Sequence, residues 1–468
     1  MNSDRKLSLH FVKERRAEEE YLRAYAVDDA TRFVYIKLKE LYWTVGRFLG
    51  FVGRREPAPR EAYCERPKLT DEQMEGAASA LKCPRVLIDV TLTHRFERHT
   101  GIQRAIREMS RLAFGDGRAL PVIVEGGRLR SYFDHPSLPS VIEVGPGDKF
   151  LMADSSWELL DEYLPVLAQV SAQGGEVVVC LYDIIPLLYP LAVSPEAAEL
   201  FSLWFEKIVL KSDVVMCISE WTATNYRDYI TKNSCQTKQG QRIGWWRLGA
   251  DFQLDTHQPP SSRAVGLTSR DSPFFLSVGT LEPRKGYSIA LAAFEKLWND
   301  NVDVRYVIVG RQGGRAKALE ARITSHAEYG RRLIWVNDAN DADLCHYYTH
   351  ARALIYASVI EGFGLPLVEA QHHGLPAIVS DLPVFHDIGG EQVRYFDLLD
   401  EESLAVEILR VIQNPRPKGA VTPTYTWRQS INCLLDTIND DTLQLGVPRS
   451  PDKTSPPQER GSRRLSLR

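Results

Sequence analysis

The chain has 468 residues, a composition of 44% hydrophobic and 25% charged residues, and a formal net charge of −4 at pH 7. This length predicts two or three domains with sizeable cores, and the near-neutral charge gives no general case for binding nucleic acid. The 7 cysteines are odd in number, scattered and without a Cys-x-x-Cys pair, which fits a reduced cytosol.

Residues 1–80 differ from the rest of the chain and predict a helical extension. Within residues 31–55, apolar residues recur at helical spacing between basic ones, a pattern typical of a helix that lies on an anionic membrane surface. A helix packed on its own protein is an equal alternative, and Gly46, Gly50 and Gly53 weaken the helix prediction itself. No signal peptide or membrane-spanning stretch is expected, so the predicted location is cytoplasmic, at the inner face of a membrane if residues 31–55 bind there.

Residues 84–256 predict a first α/β domain. Buried-strand patterns occur at residues 85–90, 177–181 and 214–218. The first pattern leads through Gly101 into a helix, and Ser219 is placed to cap the helix that follows the third. Asp183 comes just after the second pattern, at the strand edge where open parallel sheets bind ligands, although a turn former ahead of Pro186 is an equal alternative.

A linker is predicted over residues 257–272, which are rich in Pro and Ser and lack periodicity. A second α/β domain is predicted over residues 273–424, then a helix over 425–440 and a disordered basic tail over 445–468. The first strand of this second domain ends at a loop that carries Arg284 and Lys285. Both side chains suit phosphate, Arg as a planar fork and Lys as a point charge, although an isolated Arg-Lys pair in a loop is more often simply solvated.

The most informative stretch is EGFGLPLVEAQHHG, residues 361–374, which follows a buried-strand pattern. It predicts a loop and then a helix, with Pro366 at the first helical position and Gly374 just past the helix end. Glu361 then lies in the loop and Glu369 in the first helical turn. A helix start behind a glycine-rich loop binds anions, and carboxylates accept hydrogen bonds from sugar hydroxyls.

The stretch therefore predicts a ligand that has both phosphates and hydroxyls, such as a nucleotide sugar. The alternative is a solvated Glu361 and a Glu369 that only complements the helix dipole. A metal site at Asp341-Ala342-Asp343 is a weaker interpretation, because these residues precede a helical pattern where Asp is a common cap and first-turn residue. We expect neither a metal nor a bound cofactor.

Three segments of the second domain resemble retaining glycosyltransferases of family 4, which have the GT-B fold. They are GTLEPRKG at 279–286, VIVG at 307–310 and EGFGLPLVEA at 361–370. In the first domain, TGIQR at 100–104 and YDIIP at 182–186 are similar to the bacterial O-antigen and exopolysaccharide mannosyltransferases of this family. Tyr182 stands where many of these relatives carry His. The resemblance extends over residues 84–440.

The resemblance implies an α/β protein with two Rossmann-like domains facing across a cleft, and a C-terminal helix that crosses back to the first domain. The first domain would hold the acceptor and the second would hold the nucleotide sugar. By motif match, the diphosphate of the donor would bind Arg284 and Lys285 and the backbone N–H groups of Gly364 and Leu365. Glu369 would contact the ribose, and Glu361 would contact the donor sugar. Gly101 would leave space for the diphosphate or the acceptor, and Asp183 would lie on the acceptor side. Glu361, Lys285 and Arg284 are the expected catalytic residues.

The activity implied by the resemblance is hexose transfer with retention, best matched by mannose from GDP-mannose, onto a growing polysaccharide or a lipid-linked oligosaccharide. One alternative is a nucleotide-sugar 2-epimerase, which the pair Glu361 and Glu369 and the Arg284-Lys285 loop argue against. The other alternative is a non-catalytic GT-B scaffold in a polysaccharide assembly complex, with the extension as its docking surface. The intact motifs favour the enzyme.

Overall fold

The computed structural model describes residues 68, 82–96, 101–251, 259–269, 271–313, 316–389, 393–414 and 425–440. The helix predicted over residues 31–55 and the tail predicted over 445–468 lie outside the described residues, as does nearly all of the predicted extension over 1–80.

Two sheets organise the described residues. Their strands are β1 Val86–Asp89, β2 Leu120–Glu125, β3 Arg128–Ser131, β4 Lys149–Met152, β5 Glu176–Leu181, β6 Val214–Cys217, β7 Arg242–Trp245, β8 Phe274–Val278, β9 Arg305–Val309, β10 Leu333–Val336, β11 Leu354–Tyr356, β12 Ala377–Ser380 and β13 Val393–Phe396. The first sheet has the order β3-β2-β1-β4-β5-β6-β7, and only the β2–β3 pair is antiparallel. The second has the order β10-β9-β8-β11-β12-β13 and is parallel throughout. The central strands are continuous apolar runs because helices cover both faces.

Helices follow most of the parallel strands. The described helices are α1 Thr91–Arg95, α2 Gly101–Gly115, α3 Leu160–Ala172, α4 Ile185–Leu188, α5 Pro195–Lys207, α6 Glu220–Lys232, α7 Ser262–Thr268, α8 Tyr287–Asn299, α9 Lys317–Thr324, α10 Asp341–His350, α11 Leu365–His372, α12 Pro383–Ile388, α13 Glu401–Gln413 and α14 Trp427–Ile438. None of these helices has the length and the apolar run that spanning a bilayer requires.

Each sheet changes its direction of growth beside its first strand. The neighbours of β1 are β2 and β4, and those of β8 are β9 and β11. At such a switch point the connections leave in opposite directions, so the carboxyl ends of the strands border a crevice where α/β proteins bind ligands. The two Rossmann-like domains, with α14 returning from the chain end to pack on α2, form the GT-B fold that the sequence predicts.

The stretch predicted as an aperiodic linker contains the helix α7. Ser261 begins it, because its hydroxyl accepts a hydrogen bond from the Ala264 N–H at 3.2 Å. The Ser261 N–H also donates to Asp343 of α10 at 2.7 Å, which fixes this helix on the second domain. The predicted linker region therefore contains a short helix, which its polar sequence does not signal because it lacks an apolar period. The predicted domain boundaries stay predictions.

A buried carboxylate lies at the switch point of the first sheet. Asp89, the last residue of β1, accepts hydrogen bonds from the hydroxyls of Thr91 at 2.5 Å and Tyr163 at 2.7 Å. Burial raises the pKa of Asp89 to about 7, and the negative charge of the nearby Asp154 also raises it. The hydrogen bonds from Thr91 and Tyr163 act to lower this pKa but are outweighed. The Asp89 carboxylate thus links the segment after β1 to α3 by hydrogen bonds, although burying its negative charge is unfavourable.

This burial predicts a pH-dependent stability that Asp89→Asn removes. Because the folded-state pKa of about 7 lies above the ordinary value of 3.8, the folded protein binds more protons than the unfolded chain between these values. Stability present at low pH is therefore lost as the pH rises toward 7. Thermal unfolding at about pH 5 and about pH 8 should show the wild type losing stability relative to Asp89→Asn. The same difference between the two proteins at both pH values would contradict this.

Candidate functional site

A buried ion cluster joins the loop after β8 to the loop after β11, at the switch point of the second sheet. Glu361 lies in the loop, as predicted, and is 8% exposed. Its Oε1 accepts hydrogen bonds from Lys285 Nζ at 2.5 Å and from the Ser358 hydroxyl at 2.7 Å. Arg284 Nη1 donates to Oε2 at 3.4 Å. The Val359 N–H donates to the Arg284 carbonyl at 2.8 Å, so backbone contact also holds the two loops together.

The cluster keeps Glu361 ionised. Burial alone would raise the pKa of Glu361, but Lys285 and Arg284 outweigh burial and lower this pKa to about 2. Burial and repulsion from Arg284 lower the pKa of Lys285. Burial also acts to lower the pKa of Arg284, but Glu361 and Glu282 outweigh burial and raise this pKa above its ordinary value. Glu361 is therefore an acceptor of hydrogen bonds at neutral pH and not a proton donor.

The turn before α8 positions Lys285. Residues Pro283–Lys285 form a single 3₁₀ turn that ends at Gly286, whose φ is 68°. A Cβ on Gly286 would lie 1.9 Å from the carbonyl oxygen of Ala357. Only glycine permits both this left-handed conformation and the close approach of the two loops. The approach brings Lys285 to Glu361.

The helix α11 begins at Leu365, directly after Gly364, whose φ is 121°. Pro366 is consequently the second helical residue and not the first. Glu369 is the fifth, so its prediction in the first helical turn is wrong, because the glycine-permitted conformation at Gly364 sets the helix start at Leu365. Gly374 follows the helix end as predicted. This shift places Glu369 one turn inside the helix, where its side chain is buried.

Glu369 contacts both domains. Its Oε1 accepts a hydrogen bond from Arg104 Nη1 of α2 at 2.9 Å, and its Oε2 accepts one from the Tyr348 hydroxyl of α10 at 2.5 Å. Arg104 Nη2 also lies 2.6 Å from Asp341 Oδ1. Burial lowers the pKa of Arg104, but Glu369 and Asp341 raise it above its ordinary value overall. The sequence reasoning missed Arg104, although the TGIQR motif contains it.

The first domain also clamps the loop that carries Glu361. The carbonyl of Gly362 accepts hydrogen bonds from the hydroxyls of Ser219 at 2.6 Å and Thr222 at 3.1 Å. Ser219 caps α6 as predicted, since its hydroxyl accepts from the Thr222 N–H at 3.0 Å. A Cβ on Gly362 would lie 2.2 Å from the Tyr182 carbonyl oxygen. The carboxyl edges of the two sheets therefore meet at Gly362.

Asp183 follows β5 at its carboxyl edge, as predicted. It accepts a hydrogen bond from the Ile185 N–H at 2.9 Å, which is the turn-forming role. Burial raises the pKa of Asp183, while the positive charge of Arg284 across the domain boundary opposes this. Gly101 adjoins the site from α2, and a Cβ there would meet Leu365 Cδ1 at 2.9 Å. In this structure Leu365 thus fills the space beside Gly101.

The Asp341-Ala342-Asp343 stretch lies in the first turn of α10, but Asn340 is its cap. The Asn340 side chain accepts from the Asp343 N–H at 2.8 Å and takes the cap position, while Asp341 and Asp343 are first-turn residues as predicted. Asn competes equally well for this position. Asp341 pairs with Arg104, and Asp343 accepts from the Ser261 N–H. Within the described ranges, no three His, Cys, Asp or Glu side chains are grouped to hold a metal ion.

The fold and this cluster define a GT-B protein with a cationic site at the switch point of its second domain. Residues 260–422 match the family described as Glycosyl transferases group 1. Residues 260–422 therefore form a Glycosyl transferases group 1 domain, in agreement with the glycosyltransferase resemblance of the motifs.

Similar proteins include the serotype-specific mannosyltransferase WbdA of Escherichia coli, which is 30% identical over 76% of this chain and 45% of its own length. The O-antigen chain mannosyltransferase RfbU of Salmonella typhimurium is 31% identical over 30% of this chain and 39% of its own length. This chain thus spans less than half the length of these relatives. Among solved structures, sucrose-phosphate synthase from Thermosynechococcus elongatus aligns with a TM-score of 0.49 and 17% identity, over 74% of this chain and 91% of that chain.

The contact at Gly362 predicts a selective loss of stability on adding one methyl group. Gly362→Ala should lower the free energy of unfolding by about 1–3 kcal/mol, because the new Cβ overlaps the Tyr182 carbonyl. The matched control is Gly266→Ala in α7, where an added Cβ meets no atom within 4 Å and should be neutral or stabilising. Denaturant unfolding of both variants tests this. A Gly362→Ala protein as stable as the wild type would refute the close contact.

Proposed function

We propose that this protein is a retaining glycosyltransferase that moves a hexose, best matched by mannose from GDP-mannose, onto a growing polysaccharide or a lipid-linked oligosaccharide. The cluster of Arg284, Lys285 and Glu361 carries this proposal. It lies at the switch point of the second sheet, beside the start of α11 and opposite Asp183 of the first domain. Similarity to proteins named as mannosyltransferases supports the choice of sugar.

Arg284 and Lys285 supply the charge that the departure of a diphosphate needs. Breaking the bond between the anomeric carbon and the phosphate oxygen builds negative charge on the leaving group. The Lys285 and Arg284 side chains are 12% and 19% exposed, so water screens their charges little. Backbone N–H groups of Gly364 and Leu365, at the start of α11, add donors and the positive end of a helix dipole. These groups are held in position before any donor binds.

Glu361 has a second task in this scheme. Its carboxylate holds Lys285 in place, and it has oxygen lone pairs left to accept hydrogen bonds from hydroxyls of the donor sugar. An arriving diphosphate would share Lys285 with Glu361. In front-face attack, which the family resemblance favours, the acceptor hydroxyl gives its proton to the leaving phosphate oxygen. Asp183 approaches from the acceptor side, where it would bind an acceptor hydroxyl.

The partners follow from this scheme and from the relatives. A nucleotide sugar would bind mainly to the second domain, and a saccharide or lipid-linked acceptor mainly to the first. Membrane contact through residues 31–55 and a cytoplasmic location stay predictions, because residues 31–55 lie outside the described part of the chain.

Variants of the cluster separate binding from turnover. Lys285→Ala should reduce kcat on the order of 10²-fold, because it removes charge stabilisation at the leaving group. Glu361→Ala should also act mainly on kcat, while Glu369→Ala should raise the donor KM by roughly tenfold, since it loses a charged hydrogen bond to a part of the donor that does not react. Steady-state kinetics with the nucleotide sugar that most stabilises the protein among GDP-, UDP- and dTDP-sugars measures both constants.

The control for these variants is Lys296→Ala, which removes a lysine from a partly exposed ion pair with Glu402 on the same domain. It should leave both kinetic constants unchanged, because exposed pairs contribute little. If Lys285→Ala, Glu361→Ala and Glu369→Ala also behaved as wild type, the motif would be structural and the scaffold alternative correct.

Metal independence is a separate part of the proposal. Arg284 and Lys285 provide positive charge beside the diphosphate, while Asp341 and Asp343 already have partners. Transfer should therefore persist in EDTA at a concentration that strips divalent cations. Loss of transfer in EDTA, with recovery on adding magnesium or manganese, would overturn this part and leave the glycosyltransferase activity standing.

A further inference from the structure

Each carboxylate of the Glu361–Glu369 motif has its own cation, but the two cations come from different domains. Glu361 pairs with Lys285, which belongs to the same domain. Glu369 pairs with Arg104, which belongs to α2 of the first domain and is 265 residues away in sequence. Glu369 is 6% exposed. A carboxylate so deeply buried is strongly destabilised when its cation is removed, so Glu369 depends on the opposite domain.

Arg104 contacts two elements of the second domain at once. One nitrogen of its guanidinium reaches Glu369 on α11 and the other reaches Asp341 on α10. Tyr348, also on α10, donates to the second oxygen of Glu369. The planar guanidinium and the Tyr348 hydroxyl fix the orientation of the Glu369 carboxylate between them. The orientation of Glu369 is thus set jointly by both domains.

We propose that Arg104 is a positioning residue for the donor, which neutralises and orients Glu369 from the opposite domain. The ribose-binding carboxylate is then ready only while the two domains are in contact. This inference rests on the proposed function, because it requires Glu369 to bind the ribose of a nucleotide sugar.

Charge explains why such a residue is needed. A diphosphate brings negative charge to the start of α11, the helix that carries Glu369, and like charges repel. Arg104 cancels the charge of Glu369 without occupying both of its oxygens, since Tyr348 donates to the other one. Each carboxylate oxygen keeps a lone pair that a ribose hydroxyl can use. By thermodynamic linkage, a donor that binds the oriented Glu369 also strengthens the contact between the domains.

A double-mutant cycle tests whether Arg104 acts through Glu369. The variants are Arg104→Gln, Glu369→Gln and the double variant, and the probe is whichever of GDP and UDP the wild type binds, titrated calorimetrically. Arg104→Gln should weaken binding about tenfold, and the double variant should bind no more weakly than Glu369→Gln alone.

In steady-state assays, the donor KM should rise about tenfold in Arg104→Gln while kcat changes little. Arg104→Lys, which keeps the charge but loses the fork, should recover part of the affinity.

The matched control is Arg118→Gln. Arg118 lies just after the end of α2 and, like Arg104, pairs with side chains distant in sequence, but its partners Asp436 and Asn432 lie on α14 and not on α10 or α11. It should leave nucleotide binding unchanged. Wild-type affinity in Arg104→Gln, or losses that add in the double variant, would overturn the inference while the proposed function stands. A wild type that binds neither nucleotide would overturn both.

Discussion

The candidate site depends on a buried carboxylate held by two cations. Glu361 stays ionised at the domain boundary because Lys285 and Arg284 outweigh the effect of burial on its pKa. An ion pair in this environment is stable only if its geometry is good and its remaining lone pairs are satisfied. Ser358 provides a further hydrogen bond to the same carboxylate. Removing either cation would leave buried charge uncompensated, so these residues act as a unit.

That unit exists only because backbone segments approach closely at two glycines. Gly286 lets the loop after β8 touch the strand end at Ala357, and Gly362 lets the loop after β11 touch the first domain at Tyr182. The first contact brings the cations to the carboxylate. The second brings the cluster to the carboxyl edge of the first sheet, where Asp183 follows β5. Both domains thus contribute to one charged site, and Arg104 extends the same arrangement to Glu369.

Much of this was predictable from local sequence patterns. The strands β1, β5 and β6 lie where their apolar runs predict, and Ser219 caps α6 as expected. Local patterns were less successful where several residues compete for one role. Asn340 caps α10 in place of its neighbouring aspartates, and α11 starts at Leu365 because of the conformation of Gly364. The contact of Arg104 with Glu369 could not be predicted from the sequence, because residue spacing carries no signal for a side chain in another domain.

The most direct test of the central claim is a crystal structure of the protein with GDP or UDP bound. The account predicts diphosphate oxygens within hydrogen-bond distance of Lys285 Nζ and the Arg284 guanidinium, and a ribose hydroxyl within the same distance of Glu369. A nucleotide bound elsewhere, with Lys285 still paired with Glu361 and Arg284 still paired with Glu361 and Glu282, would contradict it.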